Sequence, residues 1–138
     1  LVEMPISWTL DDYPHFEFMR TKEWIMPGLR NYNSVLSNWL DDFAYMTKAV
    51  KWGVITYTFH PFVIGRGGRM LMLEKLIRKL KDGGATFSTL EDAAAEYAKR
   101  VRAEALREAA EDYWRQLCPD YGFVAEWLRA RADAEEDK

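Results

Sequence analysis

His60 is the residue in this chain best placed to move a proton. It follows Val54 to Phe59, a β-branched and aromatic run that suits a buried strand, and Pro61 behind it lacks the N–H needed to continue a ladder. An imidazole at the carboxyl end of such a strand lies at the rim where α/β folds assemble active sites, and it titrates near neutrality. The same position also suits a histidine that only caps the strand end through a backbone hydrogen bond. Asp11 and Asp12 close a second short run, Met4 to Leu10, which reads as a strand, so their carboxylates are expected at the same rim. Successive strand residues point to opposite faces, so one of the two is expected to face the site, with turn capping as the alternative role. His15, beside Pro14, is a weaker candidate for substrate or metal contact.

Two other chemistries are weakly signalled. Arg66 and Arg69, in Ile64-Gly-Arg66-Gly-Gly-Arg69, precede an expected helix whose N-terminus could hold an anion, although the glycines also read as a hinge. No Gly-rich phosphate loop with Lys-Ser/Thr is present, which argues against a nucleotide site. Two histidines, one cysteine (Cys118) and no His-x-x-x-His or Cys-x-x-Cys spacing argue against a complete metal site within the 138 residues.

The elements that must position these groups read in βαβ order. After the first strand, residues 13–32 look like a loop rich in turn signals, with Phe16, Phe18, Trp24 and Met26 able to wall a pocket, line an interface or fill a core. Leu36, Trp39, Leu40, Phe43, Met46 and Val50 recur at helical spacing, predicting a helix over Ser34–Val50 capped by Ser34. The strand to His60 follows. A helix is expected over Met70–Lys81 with Met70, Leu73, Leu76, Ile77 and Leu80 inward, ended by Asp82-Gly83-Gly84, and then a short strand over Ala85–Ser88. Thr89-Leu-Glu-Asp92 is a capping-box variant opening a long helix free of Gly and Pro to Cys118, whose stripe includes Leu90, Tyr97, Val101 and Leu106. Pro119-Asp-Tyr-Gly122 should break it, and Phe123–Arg131 should form a last helix with Trp127 and Leu128 inward, leaving Ala134–Lys138 to fray.

Composition narrows the partners. With 49% hydrophobic and 14% aromatic residues the chain is apolar for its size, as expected of one that buries surface against another polypeptide. A net charge of −3 without a basic block excludes nucleic acid as the expected partner. No stretch approaches the roughly 20 apolar residues of a membrane span, no targeting segment is visible, and a single cysteine suits a reducing compartment, so the expected location is the cytoplasm.

The segment Thr58-Phe-His60-Pro61 with Val63-Ile-Gly-Arg66 resembles the last catalytic motif of the polysaccharide deacetylase family, the NodB-like enzymes of carbohydrate esterase family 4. The resemblance is greatest to the branch that holds peptidoglycan deacetylase-like and allantoinase-like enzymes. Trp8-Thr-Leu-Asp11-Asp12 resembles the family's Trp-x-Leu-Asp-Asp segment, Met70 to Leu80 its next helix, and Ala85 to Asp92 its closing strand and helix start. The match covers roughly residues 1–100. The family's Asp-Asp and His-x-x-x-His metal motifs come earlier and have no counterpart here.

The resemblance implies an α/β fold, namely the C-terminal half of a NodB-like (β/α) barrel over 1–100, because a whole barrel needs roughly 200 residues or more. Residues 101–138 would be a helical extension for subunit contacts. It further implies a metal-dependent hydrolase of C–N amide bonds in small molecules or sugars, in which His60 is the general acid and Trp8, Asp11, Asp12 and Arg66 serve the substrate. A divalent metal such as zinc would take its ligands from a second polypeptide carrying the first half of the barrel, or from upstream sequence, giving a hetero-oligomer in the first case. The competing reading is a non-catalytic half-barrel that stabilises a partner; it needs no histidine at the strand end.

Overall fold

The computed structural model describes residues 3, 4, 6–117 and 122–136. Pro5, Cys118 and the break expected over 119–121 lie outside the described residues. The chain forms two compact units, one spanning 5–87 and the other made of 1–4 with 88–138.

The first unit is built on two helices. Helix α2, Tyr32–Ala49, buries Val35, Trp39 and Phe43, and helix α4, Gly67–Asp82, buries Met72, Leu76 and Leu80. Each set repeats every four residues, so each helix presents one apolar stripe, and the two stripes share a single core with Leu10, Phe16, Val63 and Ile64. The details depart from the expected inward faces. Met70, Ile77 and Val50 are exposed, and α2 is capped by Asn31, whose side chain accepts from the Asn33 and Ser34 N–H groups, rather than by Ser34. Asn is as good a cap as Ser, and its earlier position gains the helix two residues.

The three expected strands do not form as ladders. Trp8–Leu10 is a 3-10 turn capped by Ser7 in place of a strand over Met4–Leu10, and Ala85–Ser88 is irregular. Of the run Val54–Phe59, only Thr58 pairs, through one parallel bridge to Asp11: the Thr58 N–H donates to Leu10 O at 2.9 Å and the Asp12 N–H to Thr58 O at 3.1 Å. A strand needs a neighbour on its edge, and beyond this bridge the segment has none among the described residues. Its side chains nonetheless keep the period of two, with Ile55, Tyr57 and Phe59 all packed on the core. The Tyr57 hydroxyl donates to Trp39 O at 3.0 Å, and burial, with Asp42 nearby, pushes its pKa up to about 12, so it stays a donor across the physiological range.

The expected loop over 13–32 is partly ordered. Helix α1, Asp12–Phe16, is followed by a two-stranded antiparallel hairpin, β1 Met19–Arg20 and β2 Ile25–Met26. The chain returns through Gly28 at φ +52°, where a Cβ would collide with the Glu17 carbonyl. The Arg30 N–H then donates to His15 O at 3.0 Å, closing the hairpin against α1. Of the aromatics expected to wall a pocket, Phe16 is core while Phe18 and Trp24 are exposed. Helix α3, Pro61–Ile64, starts directly behind His60, with Pro61 at its first position.

The second unit is a helical hairpin. Helix α5, Leu90–Leu117, opens as the capping box predicts: Thr89 Oγ1 accepts from the Asp92 N–H at 3.1 Å and donates to the Asp92 carboxylate at 2.7 Å. Helix α6, Gly122–Glu136, runs back antiparallel, with Arg102 paired to Glu135 at 3.4 Å and Arg107 to Asp133 at 2.8 Å. Among the described residues its buried contacts are Ala103, Ala110 and Ala132, while Leu90, Tyr97 and Val101 of the expected stripe are exposed. Small side chains allow close approach of the two helices, and they won over the larger ones. Trp127 is likewise 51% exposed rather than inward, with Arg131 stacked over its ring at 5.5 Å. Helix α6 also continues through residues 134–136, which were expected to fray. No helix among the described residues is long and apolar enough to cross a membrane.

Candidate active site

The turn from Leu10 into α1 brings both aspartates to His60. Asp11 is the N-cap, its Oδ1 accepting from the Tyr13 N–H at 2.7 Å, and Asp12 is the first helical residue. Because the backbone passes here from a 3-10 turn into a helix rather than running on as a strand, the alternation that would have sent the two to opposite faces does not apply. Both reach His60 Nδ1, Asp12 Oδ1 at 2.7 Å and Asp11 Oδ1 at 3.6 Å.

Asp12 is completely buried. A buried carboxylate is tolerated where charge-assisted hydrogen bonds replace its water. Here the two oxygens accept the His60 backbone N–H at 3.1 and 3.0 Å, and Oδ1 also accepts from the imidazole. Both oxygens are thereby committed to His60, which suits Asp12 to holding the imidazole rather than touching substrate. A carboxylate can only accept, so Nδ1 carries the hydrogen and Nε2 is the nitrogen left for chemistry. The imidazole pKa lies above its ordinary 6.5 because of the Asp12 hydrogen bond, opposed by desolvation and reinforced by the charges of Asp12 and Asp11.

The rim around the imidazole is aromatic. The His60 side chain is 36% exposed, Tyr13 lies 5.4 Å from it between ring centroids, and Phe62, itself 62% exposed, lies 5.7 Å away. Neither neighbour was singled out from sequence, although each stands within two residues of Asp12 or His60.

The other candidates are placed differently. Trp8 is 75% exposed in the 3-10 turn ahead of Asp11. Arg66 is exposed at the N-cap of α4, and its side chain makes no hydrogen bond or ion pair among the described residues. His15 serves the scaffold: its Nε2 donates to Thr9 O at 2.8 Å, the same carbonyl that accepts the Trp39 indole N–H at 2.7 Å, and its ring packs edge-on to Trp39. Arg69, noted only as a possible anion contact, is turned inward onto two backbone carbonyls.

Asp11, Asp12 and His60 are close enough to be tested as a metal site, their nearest donor atoms lying within 4.8 Å of one another. The donor set does not fit. Nδ1 is protonated onto Asp12, and both Asp12 oxygens are committed to N–H groups, so a cation would have to displace the bonds that hold the buried carboxylate.

No protein-family model matches the chain, and no solved structure matches it. Among characterised proteins, a peptidoglycan deacetylase of Helicobacter pylori is 32% identical over 101 residues, which is 72% of this chain and 34% of the relative. The chain thus spans about a third of the length of the relative it matches, and the similarity supports its likeness to the polysaccharide deacetylase family.

Proposed function

We propose that these residues form part of a deacetylase-type hydrolase of C–N amide bonds and supply its general acid, His60. The observation that carries the reading is the 2.7 Å bond between His60 Nδ1 and buried Asp12. It orients the ring, raises its pKa and so favours the imidazolium, whose Nε2–H is the one free to donate. Breaking an amide needs a proton on the departing nitrogen, and a positioned imidazolium delivers it while Asp12 stabilises the charged ring until the proton leaves. Asp11, with its carboxylate near the same imidazole, adds to that stabilisation. Tyr13 and Phe62 shield one side of the ring from water, and exposed Trp8 and Arg66 remain the residues offered to substrate.

The other half of the reaction needs a base and a means of activating water, and in this reading both belong to polypeptide beyond these residues. A divalent metal held there would supply the activated water. The remaining strands of the NodB-like barrel would pair along Val54–Tyr57, a segment that has the side-chain period of a strand and lacks a ladder neighbour among the described residues. Similarity to a peptidoglycan deacetylase favours an N-acetyl sugar as the substrate class.

The test is His60→Ala in the assembled enzyme, assayed on N-acetylated glycan. Removing a positioned general acid lowers kcat by about 10²- to 10⁴-fold with KM and bound metal nearly unchanged. A kcat within a few-fold of wild type, or loss of the metal, sinks the assignment.

A further inference from the structure

Arg69 lies 53 and 6 residues along the chain from its contacts in two short helices, and it touches both at the end remote from the Asp12–His60 pair. Its Nη2 donates to Phe16 O, the last carbonyl of α1, at 3.0 Å, and its Nη1 donates to Val63 O in the single turn of α3 at 2.8 Å. Glu17 Oε1 balances the charge at 3.3 Å, and the guanidinium lies over the Phe16 ring at 4.9 Å. The side chain is only 14% exposed. Carbonyls at a helix C-terminus have no intrahelical partner, and a planar fork with several fixed donors can satisfy two at once, as a lysine ammonium cannot at the same geometry.

The two helices are very short, five and four residues, so neither holds its own orientation by internal hydrogen bonding. Asp12 begins α1 and Arg69 holds its end; His60 caps α3 and Arg69 holds its third residue. Each helix is therefore fixed at both ends against the other. From this arrangement we infer that Arg69 is a positioning residue for His60, setting the separation of Asp12 and the imidazole by stapling the far ends of α1 and α3. Its bearing on catalysis rests on His60 being the general acid, whereas the staple itself is a statement about geometry.

The experiment reads the His60 imidazole by NMR in the full chain, following its titration midpoint and its Nδ1–H, with His15 as internal reference and the Trp39 indole N–H reporting the core. Arg69→Lys keeps the charge and loses the fork, and Arg69→Gln loses the charge as well. Both are expected to lower the midpoint toward 6.5 and weaken the Nδ1–H signature while the indole signal stays. Simple removal of a nearby positive charge would move the midpoint upward in Arg69→Gln, so the sign separates position from field. In an Asp12→Asn background Arg69→Lys is expected to add no further shift, because the bond it acts through is gone.

An unchanged midpoint in both variants, a rise in Arg69→Gln, an equal shift with Asp12→Asn present, or loss of the indole signal in both variants would overturn the inference. The last outcome would make Arg69 a general stability residue. None of these readings depends on turnover, so a failure of the proposed function in the His60→Ala assay leaves this result standing, and the reverse also holds.

Discussion

The chemistry of single residues here is set by what surrounds the imidazole. Asp12 would be costly to bury alone, and His60 with a free Nδ1 would choose its tautomer loosely; together each resolves the other's problem. The pairing also makes stability depend on pH. The imidazolium gains a partner on folding, so its contribution is fully present below the ordinary value of 6.5 and is lost as pH rises through the higher folded value. Urea midpoints should accordingly be higher at about pH 5.5 than at about pH 8.5, on either side of the imidazole range. Asp12→Asn should flatten that difference and return the His60 titration toward its ordinary midpoint. A slope retained in Asp12→Asn would assign the pH dependence to another group.

At the scale of elements, short pieces carry the site and long pieces carry the stability. Helices α2 and α4 enclose the core of the first unit with stripes four residues apart, and α1 and α3 are single turns set against them. Leu76→Ala, at a fully buried position in the middle of the α4 stripe, should cost about 2–5 kcal/mol in denaturant titration. In the helical hairpin the close contact uses alanines. Ala103→Leu should therefore destabilise the α5–α6 pair by about 1–3 kcal/mol through overpacking, while Val101→Ala, at an exposed position, should stay within about 0.5 kcal/mol. Hydrogen exchange along α5 would measure both, and a larger effect at Val101 than at Ala103 would reverse the assignment of the packed face.

For the whole molecule, the division at Phe87 puts Asp12, His60 and Arg69 in one compact unit. A chain ending at Phe87 should keep the raised His60 midpoint, read by the same NMR titration, and a midpoint that fell to 6.5 would tie the helical hairpin to the site. The Val54–Tyr57 segment has backbone groups without ladder partners among the described residues. Supplying the first part of a deacetylase barrel as a separate polypeptide should slow amide exchange there, and unchanged exchange in a formed complex would place the added strands elsewhere.

Much of this was legible from local pattern. The helical spacing of apolar residues in α2 and α4 and the Thr89–Asp92 cap are properties of neighbouring residues, and the two helices and the cap form where that spacing puts them, although Val35 and Met72 are buried where Val50, Met70 and Ile77 were expected. His60 and the two aspartates could be singled out by residue type and by what ends the runs before them. Their union could not, because Asp12 and His60 are 48 residues apart and only the parallel bridge at Thr58 brings them within 2.7 Å. Residue type likewise said nothing of Arg69 turning inward, since an arginine after two glycines looks solvent-bound until two helix ends present carbonyls to it. Local sequence determined which segments are helical, through capping and periodicity, while packing decided which face of each is buried. The tertiary structure alone decided which polar groups meet, because burial forces every carboxylate, guanidinium and carbonyl to find a partner, and that partner is distant in the chain.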